Sequence, residues 1–176
     1  RNNVMSPTRI FSTVLFLFLV FAVQESAISI IHFPITGFSL YVAVAISLIA
    51  SEDHNGSLVM GFLSGIVLDL SPTSNSAFGQ WALVFTVIGY IFAVNKESIA
   101  DLTSSPITFV ILVAIGTSAA FLLDLGIGAL LGEENGSMNH NLVVSFGNGF
   151  WSIIFAPFFL PGLRFARRFS LTSKER

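Results

Sequence analysis

Three carboxylates interrupt otherwise apolar stretches of this chain: Glu25, Asp69 and Asp124. A charged side chain in hydrocarbon costs several kcal/mol unless it is paired, hydrated or protonated, so such groups mark either a function or a dedicated structural bond. Gln80 and Asn148 are neutral polar residues in comparable surroundings. No Lys or Arg lies near the three acids, so each should be hydrogen-bonded or protonated rather than ion-paired. Two kinds of chemistry fit. Asp69, with Ser74 and Ser76, could cap the positive N-terminal end of the helix that follows it. Alternatively, Asp69, Gln80, Asp124 and Asn148 could line a ligand cavity or a place where a partner's helix docks.

Enzymatic constellations find little support. The chain has no cysteine, hence no thiol nucleophile, disulfide or thiolate metal site. His32, His54 and His140 fall in different polar breaks, and Glu133, Glu134 and His140 read more simply as a solvated loop than as a cation site. Gly-rich phosphate loops are absent, so no cofactor, metal or catalytic set is expected. Asn55-Gly-Ser and Asn135-Gly-Ser match the glycosylation sequon, a motif short enough to recur by chance. Gly61-Phe-Leu-Ser-Gly65 is a small-xxx-small pattern that lets a second helix approach closely, from within the chain or from a partner.

The elements that must position these residues are apolar helices. Hydrophobic residues make up 53 % of the chain and charged residues 10 %, whereas a soluble domain carries about 25 % charge. The mean hydropathy is +0.82. A hydrocarbon layer about 30 Å thick needs roughly 20 helical residues at about 1.5 Å each. Against that ruler, apolar runs fall at 10–31, 38–50, 57–70, 77–94, 106–131 and 142–163, the second and third being short. The expected fold is therefore all-α, a polytopic membrane protein of about six transmembrane helices in one domain, 1–176. Residues 10–23 are taken as a first span rather than a cleaved signal core, because further spans follow. Polar breaks at 51–56, 71–75, 95–106 and 132–141 separate the later runs.

Short cytoplasmic loops keep Lys and Arg. Six crossings starting inside place Arg1, Arg9, Lys96, Arg164, Arg167, Arg168, Lys174 and Arg176 all in the cytoplasm, with a basic tail over 164–176. Five crossings would strand Arg1 and Arg9 on the far side. Under the six-crossing topology Glu25, Asp69, Gln80, Asp124 and Asn148 share the outer half of the bilayer. Phe165 and Phe169, among the tail's arginines, could dip into the headgroup region.

The string Gly61-Phe-Leu-Ser-Gly-Ile-Val-Leu-Asp69-Leu-Ser-Pro-Thr-Ser-Asn-Ser-Ala-Phe-Gly79-Gln-Trp-Ala-Leu, continuing to Gly89-Tyr90, resembles the signature of the rod shape-determining protein MreD family. Asp124 in an apolar helix, Asn148-Gly149 ahead of Pro157 and the basic tail are similar to family positions. The acidic 51–56 loop and the Asn148-Gly149-Phe-Trp order depart from the pattern. The resemblance implies a bacterial plasma-membrane scaffold of the cell-elongation and peptidoglycan-synthesis machinery. Its implied partners are an MreC-like single-pass protein, a RodA-like transferase, a class-B penicillin-binding protein and an MreB-like filament. The family is also similar to the substrate-binding subunits of energy-coupling-factor transporters, so a vitamin-binding subunit is the alternative reading. Gly61, Gly65, Asp69, Gln80, Asp124 and Asn148 are the residues expected to form the partner face or the pocket.

Overall fold

A computed structural model describes residues 7–28, 30, 38–71, 76–133 and 136–170. Arg1, His32, Ser74, Glu134, Asn135, the side chains of Arg164 to Phe169, Lys174 and Arg176 lie outside the described residues. The described chain is helical throughout, with no strand: α1 (Pro7–Val23) running into a π turn (Gln24–Ile28), α2 (Leu40–Ser51), α3 (His54–Asp69), α4 (Gln80–Val94), α5 (Lys96–Ser104), α6 (Pro106–Leu130) and α7 (Met138–Ser170). Three stretches are long and apolar enough to cross a membrane, Pro7–Ser26, Pro106–Leu130 and Met138–Phe159, and α4 with α5 makes a fourth if that bent pair is one span. Phe11, Leu19, Ile107, Ile115, Phe146 and Phe158 are exposed on these elements, as the outer surface of a protein in lipid requires. The chain is a membrane protein.

The centre of the bundle is α2. A helix that is apolar on every side has to be surrounded by protein. Tyr41, Val42, Ala43, Val44, Ala45, Ile46, Ile49 and Ala50 are accordingly all buried. α1, α3, α4, α5, α6 and α7 all touch it. With 12 residues it is about 18 Å long, well short of the hydrocarbon thickness.

α3 and α4 form the tightest pair, and glycine is the reason. A methyl group built on Gly61 would collide with the Phe85 carbonyl, one on Gly65 with Ala82 Cα and the Trp81 carbonyl, and one on Gly89 with the Ser57 carbonyl. The two backbones therefore run in direct contact, antiparallel, over most of their length. This corrects the expectation that Gly61 and Gly65 present a face to a partner: both are buried inside the chain's own α3–α4 contact. α6 and α7 pair in the same way through Gly149, whose Cα lies against Ser118 and the Ala114 carbonyl. Gly116 of α6 lies against Ile46 of α2.

The break expected at 95–106 is itself a helix. α5 turns 89° from α4 and lies across the end of the bundle, with Ile99 buried beneath it. Its charged residues, Lys96, Glu97 and Asp101, hide it from a hydropathy count. α7 likewise begins at Met138, within the 132–141 break, and its backbone stays helical through Pro157 and Pro161.

Gly65→Leu should therefore cost at least the 1–3 kcal/mol typical of overpacking, about that order or more because the colliding atoms are backbone. Gly126→Ala, at a helical position with nothing within 4 Å, should be neutral or gain up to about 1 kcal/mol. Thermal unfolding of both variants in detergent checks this; equal melting points would refute the contact.

Candidate functional site

The polar residues gather at the two ends of the short helices, where backbone groups would otherwise have no partner. The first four N–H groups and last four C=O groups of any helix lack intrahelical partners. In a membrane interior, water does not supply the missing bonds.

At the end that holds the last turn of α3 and the first turn of α4, the N-cap residue is Gly79, at φ 93°, which has no side chain to offer. Asp69 supplies the cap from the neighbouring helix. Its Oδ1 accepts from Trp81 N at 3.0 Å and its Oδ2 from Ala82 N at 2.9 Å. Both carboxylate oxygens thus face the positive pole of α4, which accounts for a buried acid with no cation beside it. Next to it, Gln80 Nε2 donates to Asp124 Oδ1 at 2.8 Å and to the Asp124 carbonyl at 3.1 Å, tying α4 to α6. Glu133 Oε1 accepts from Ala77 N at 3.0 Å and fixes the loop that precedes α4.

The N-terminus of α2 is capped by three residues. Asn148 Oδ1 of α7 accepts from Ser39 N at 2.8 Å, and Gln24 Oε1 of the π turn accepts from Leu40 N at 2.7 Å. Ser39 Oγ itself accepts from Val42 N at 3.3 Å. The Asn148 amide group also donates to Val144 O, so both ends of that side chain are engaged. Asp69, Gln80, Asp124 and Asn148 therefore lie at one end of the bundle but belong to two neighbouring capping clusters, one on α4 and one on α2.

The opposite end has its own cluster, which sequence reasoning treated only as topology markers. Lys96 Nζ donates to Ala50 O at 3.0 Å, and Ser57 Oγ donates to Ile49 O at 2.9 Å; together they close the C-terminus of α2. Glu52, 3 % exposed, pairs with Arg9 of α1 at 2.5 Å. Asp53 caps α3 through Gly56 N, and His54 Nδ1 meets Ala93 O near the end of α4. An acidic pair directly after an apolar run, with one cation just before the first run and another just after the run 77–94, was the readable signal. Their pairing was hidden by separations of 43 residues or more.

A cavity of about 200 Å³ opens at the Asp69 end, between α1, α2, α3, α4 and α6. It is lined by Phe21, Gln24, Glu25, Ser39, Tyr41, Val42, Leu68, Ser71, Trp81 and Phe121. Asp69, Gln80, Asp124 and Asn148 are not among the walls of this cavity. Glu25 is the exception among the sequence-selected acids. Among the described residues no cluster of His, Asp or Glu is arranged to hold a metal ion.

The two N–H bonds to Asp69 are the test of the capping role. Asp69→Ala strands two buried donors and should destabilise the fold by about 2–4 kcal/mol, while Asp69→Asn keeps one acceptor and should lose roughly half of that. Thermal denaturation in nanodiscs reads the ordering; Asn and Ala variants of equal stability would contradict it.

Comparison with known proteins gives one match. No curated protein and no solved structure matches the chain. The family model described as rod shape-determining protein MreD matches residues 5–165, which takes in every helix that carries the caps and most of α7. The chain belongs to the MreD family, and through it to rod-shape determination.

Proposed function

We propose that the chain is a non-catalytic scaffold of the bacterial cell-elongation machinery, seated in the plasma membrane and holding an MreC-like single-pass protein against its helices. Family membership over residues 5–165 is the observation that carries this reading. The site geometry supports it: Asp69 and Asn148 are engaged at helix ends, and Gln80 and Asp124 join α4 to α6. A rigid platform that confines partners to one membrane plane raises their effective concentration, as tethering does. A RodA-like transferase, a class-B penicillin-binding protein and an MreB-like filament are the further partners such a platform would gather.

The proposed topology has six crossings with both termini in the cytoplasm, α2 and α3 each crossing as short helices sheltered by their neighbours. Two observations favour it. The ends of α1, α2, α3 and α4 fall into two sets, one joined by Asp69, Gln24 and Asn148 and the other by Arg9, Glu52, His54 and Lys96. The second set holds the described cations, the arrangement that cytoplasmic loops prefer. The proposed likeness to substrate-binding subunits of energy-coupling-factor transporters extends to helix number and to a cavity at the outer end. As a vitamin pocket that cavity is small, about 200 Å³ against the roughly 300–1,000 Å³ of sites for ligands of that size.

Because Gly61 and Gly65 are enclosed, the partner helix needs another face. α1 offers Phe11, Leu15 and Leu19 and is the least buried span, and α7 offers Phe146 and Phe150. With photo-crosslinkers at Phe11, Leu19, Phe146 and Phe150, an MreC-like protein should be captured on one of these faces, and depletion of the chain should turn rods into spheres. Co-expression that yields neither crosslink nor co-purification would overturn the scaffold reading.

A further inference from the structure

We propose that Asp124 and Gln80 form a proton-binding site, in which the protonated Asp124 carboxyl donates to the Gln80 amide oxygen and latches α4 to α6. Gln80 is 3 % exposed, and its Oε1 is a buried acceptor with no hydrogen-bond partner. The other half of the same amide is engaged twice, Nε2 donating to Asp124 Oδ1 at 2.8 Å and to the Asp124 carbonyl at 3.1 Å. Oε1 shares a carbon with that nitrogen, so the orphaned acceptor is held beside the same aspartate. Leaving a buried acceptor without a donor is costly. Turning the amide over gains nothing, because Oε1 would then face the Asp124 carbonyl, another acceptor.

Among the described residues, the helices packed around α6 do not supply the donor. Those helices are α2, α4, α5 and α7. α2 and α4 carry no charged side chain. The charges of α5, Lys96, Glu97 and Asp101, belong to the opposite end of the bundle, where Lys96 closes α2. His140, in the first turn of α7, is exposed. The titratable groups that act on Asp124 are Asp69, at the end of α3, and Glu133, beyond α6, and both are acids. A proton on Asp124 answers two needs at once: it supplies the missing donor and keeps a third negative charge out of this acidic cluster. In the resulting pair the amide N–H donates to the carbonyl oxygen of the acid, and the acid O–H donates to the amide oxygen. Asp124 is half-buried, which leaves the proton a route to solution. Gln80 directly precedes Trp81 and Ala82, whose N–H groups Asp69 caps, so the latch bears on the same turn of α4. Ionisation withdraws the donor and loosens α4 from α6 at that turn. The site does not depend on the scaffold reading, since family membership has no part in it.

Two measurements on the full chain in nanodiscs test it, with Asp124→Asn as the matched variant. Its amide offers Gln80 the same acceptor and a permanent donor, so it mimics the protonated acid at every pH. Infrared difference spectra at about pH 6 should show a carboxylic-acid carbonyl band in the parent that Asp124→Asn lacks, because an unperturbed aspartate is ionised at that pH. Thermal unfolding reads the linkage. A proton bound by the folded chain stabilises it at low pH, and that stabilisation is lost as pH rises. Between about pH 4 and about pH 8 the parent's melting temperature should therefore fall, relative to that of Asp124→Asn, by roughly 2–4 °C. Asp124→Leu, which leaves both halves of the Gln80 amide unmatched, should melt below Asp124→Asn throughout. The absence of an Asp124-dependent band would overturn the proposal, as would a parent that gains on Asp124→Asn or keeps pace with it as pH rises. An Asp124→Asn variant that fails to fold, or one no more stable than Asp124→Leu, would overturn it equally.

Discussion

A central helix, buried along most of its length and only 12 residues long, is the constraint around which this fold is arranged. The terminal N–H and C=O groups of this helix, α2, need partners that its own turns do not supply. The chain solves this with side chains from other helices: Asn148 and Gln24 at the start, Lys96 and Ser57 at the finish. Each such bond joins α2 to a different element. Satisfying the central helix therefore also fixes where α1, α3, α5 and α7 stand. The same device recurs at α4, where glycine at the N-cap leaves the task to Asp69. The polar residues act as the joints of an otherwise apolar bundle.

Glycine provides the complementary part of the construction. Helix pairs in lipid lack the hydrophobic drive of water and associate through close packing, which small residues permit. Gly61, Gly65 and Gly89 bring α3 and α4 into backbone contact, and that contact aims Asp69 at the first turn of α4. The string from Gly61 to Tyr90 thus carries one structural device: a glycine face, a carboxylate and the helix that the carboxylate caps. Its recognisable sequence follows from geometry, since Leu at Gly65 would separate the helices and leave Asp69 out of reach.

Much of this was legible in the residues, and the parts that were not share a cause. Long apolar runs marked the helices, but a run that is apolar all round, such as 38–50, reads alike for a helix facing lipid and for one surrounded by protein. Asp69 could be read as a cap because the helix it serves is its immediate successor. Asn148 could not, since its acceptor meets Ser39 at a separation of 109 residues. Arg9 and Glu52 were visible only as charges, because pairing across 43 residues is a property of the packed bundle. α5 escaped a count of hydropathy because a helix lying across the bundle end needs one buried position, Ile99, and tolerates charge elsewhere. The glycine spacing marked a close helix approach without saying whether the approaching helix belongs to this chain or to a partner, which only the packed bundle decides.

The caps tie the helices of this rod-shape-determining family member together through its central helix. The central claim is that α2 is held from its N-terminus by side chains of other helices. Amide hydrogen exchange on the full chain in nanodiscs, comparing the parent with Asn148→Leu, tests that claim most directly. Removal of the acceptor should raise exchange in peptides covering residues 38–44 while α3 and α4 keep their protection. Unchanged protection at 38–44 would contradict the account.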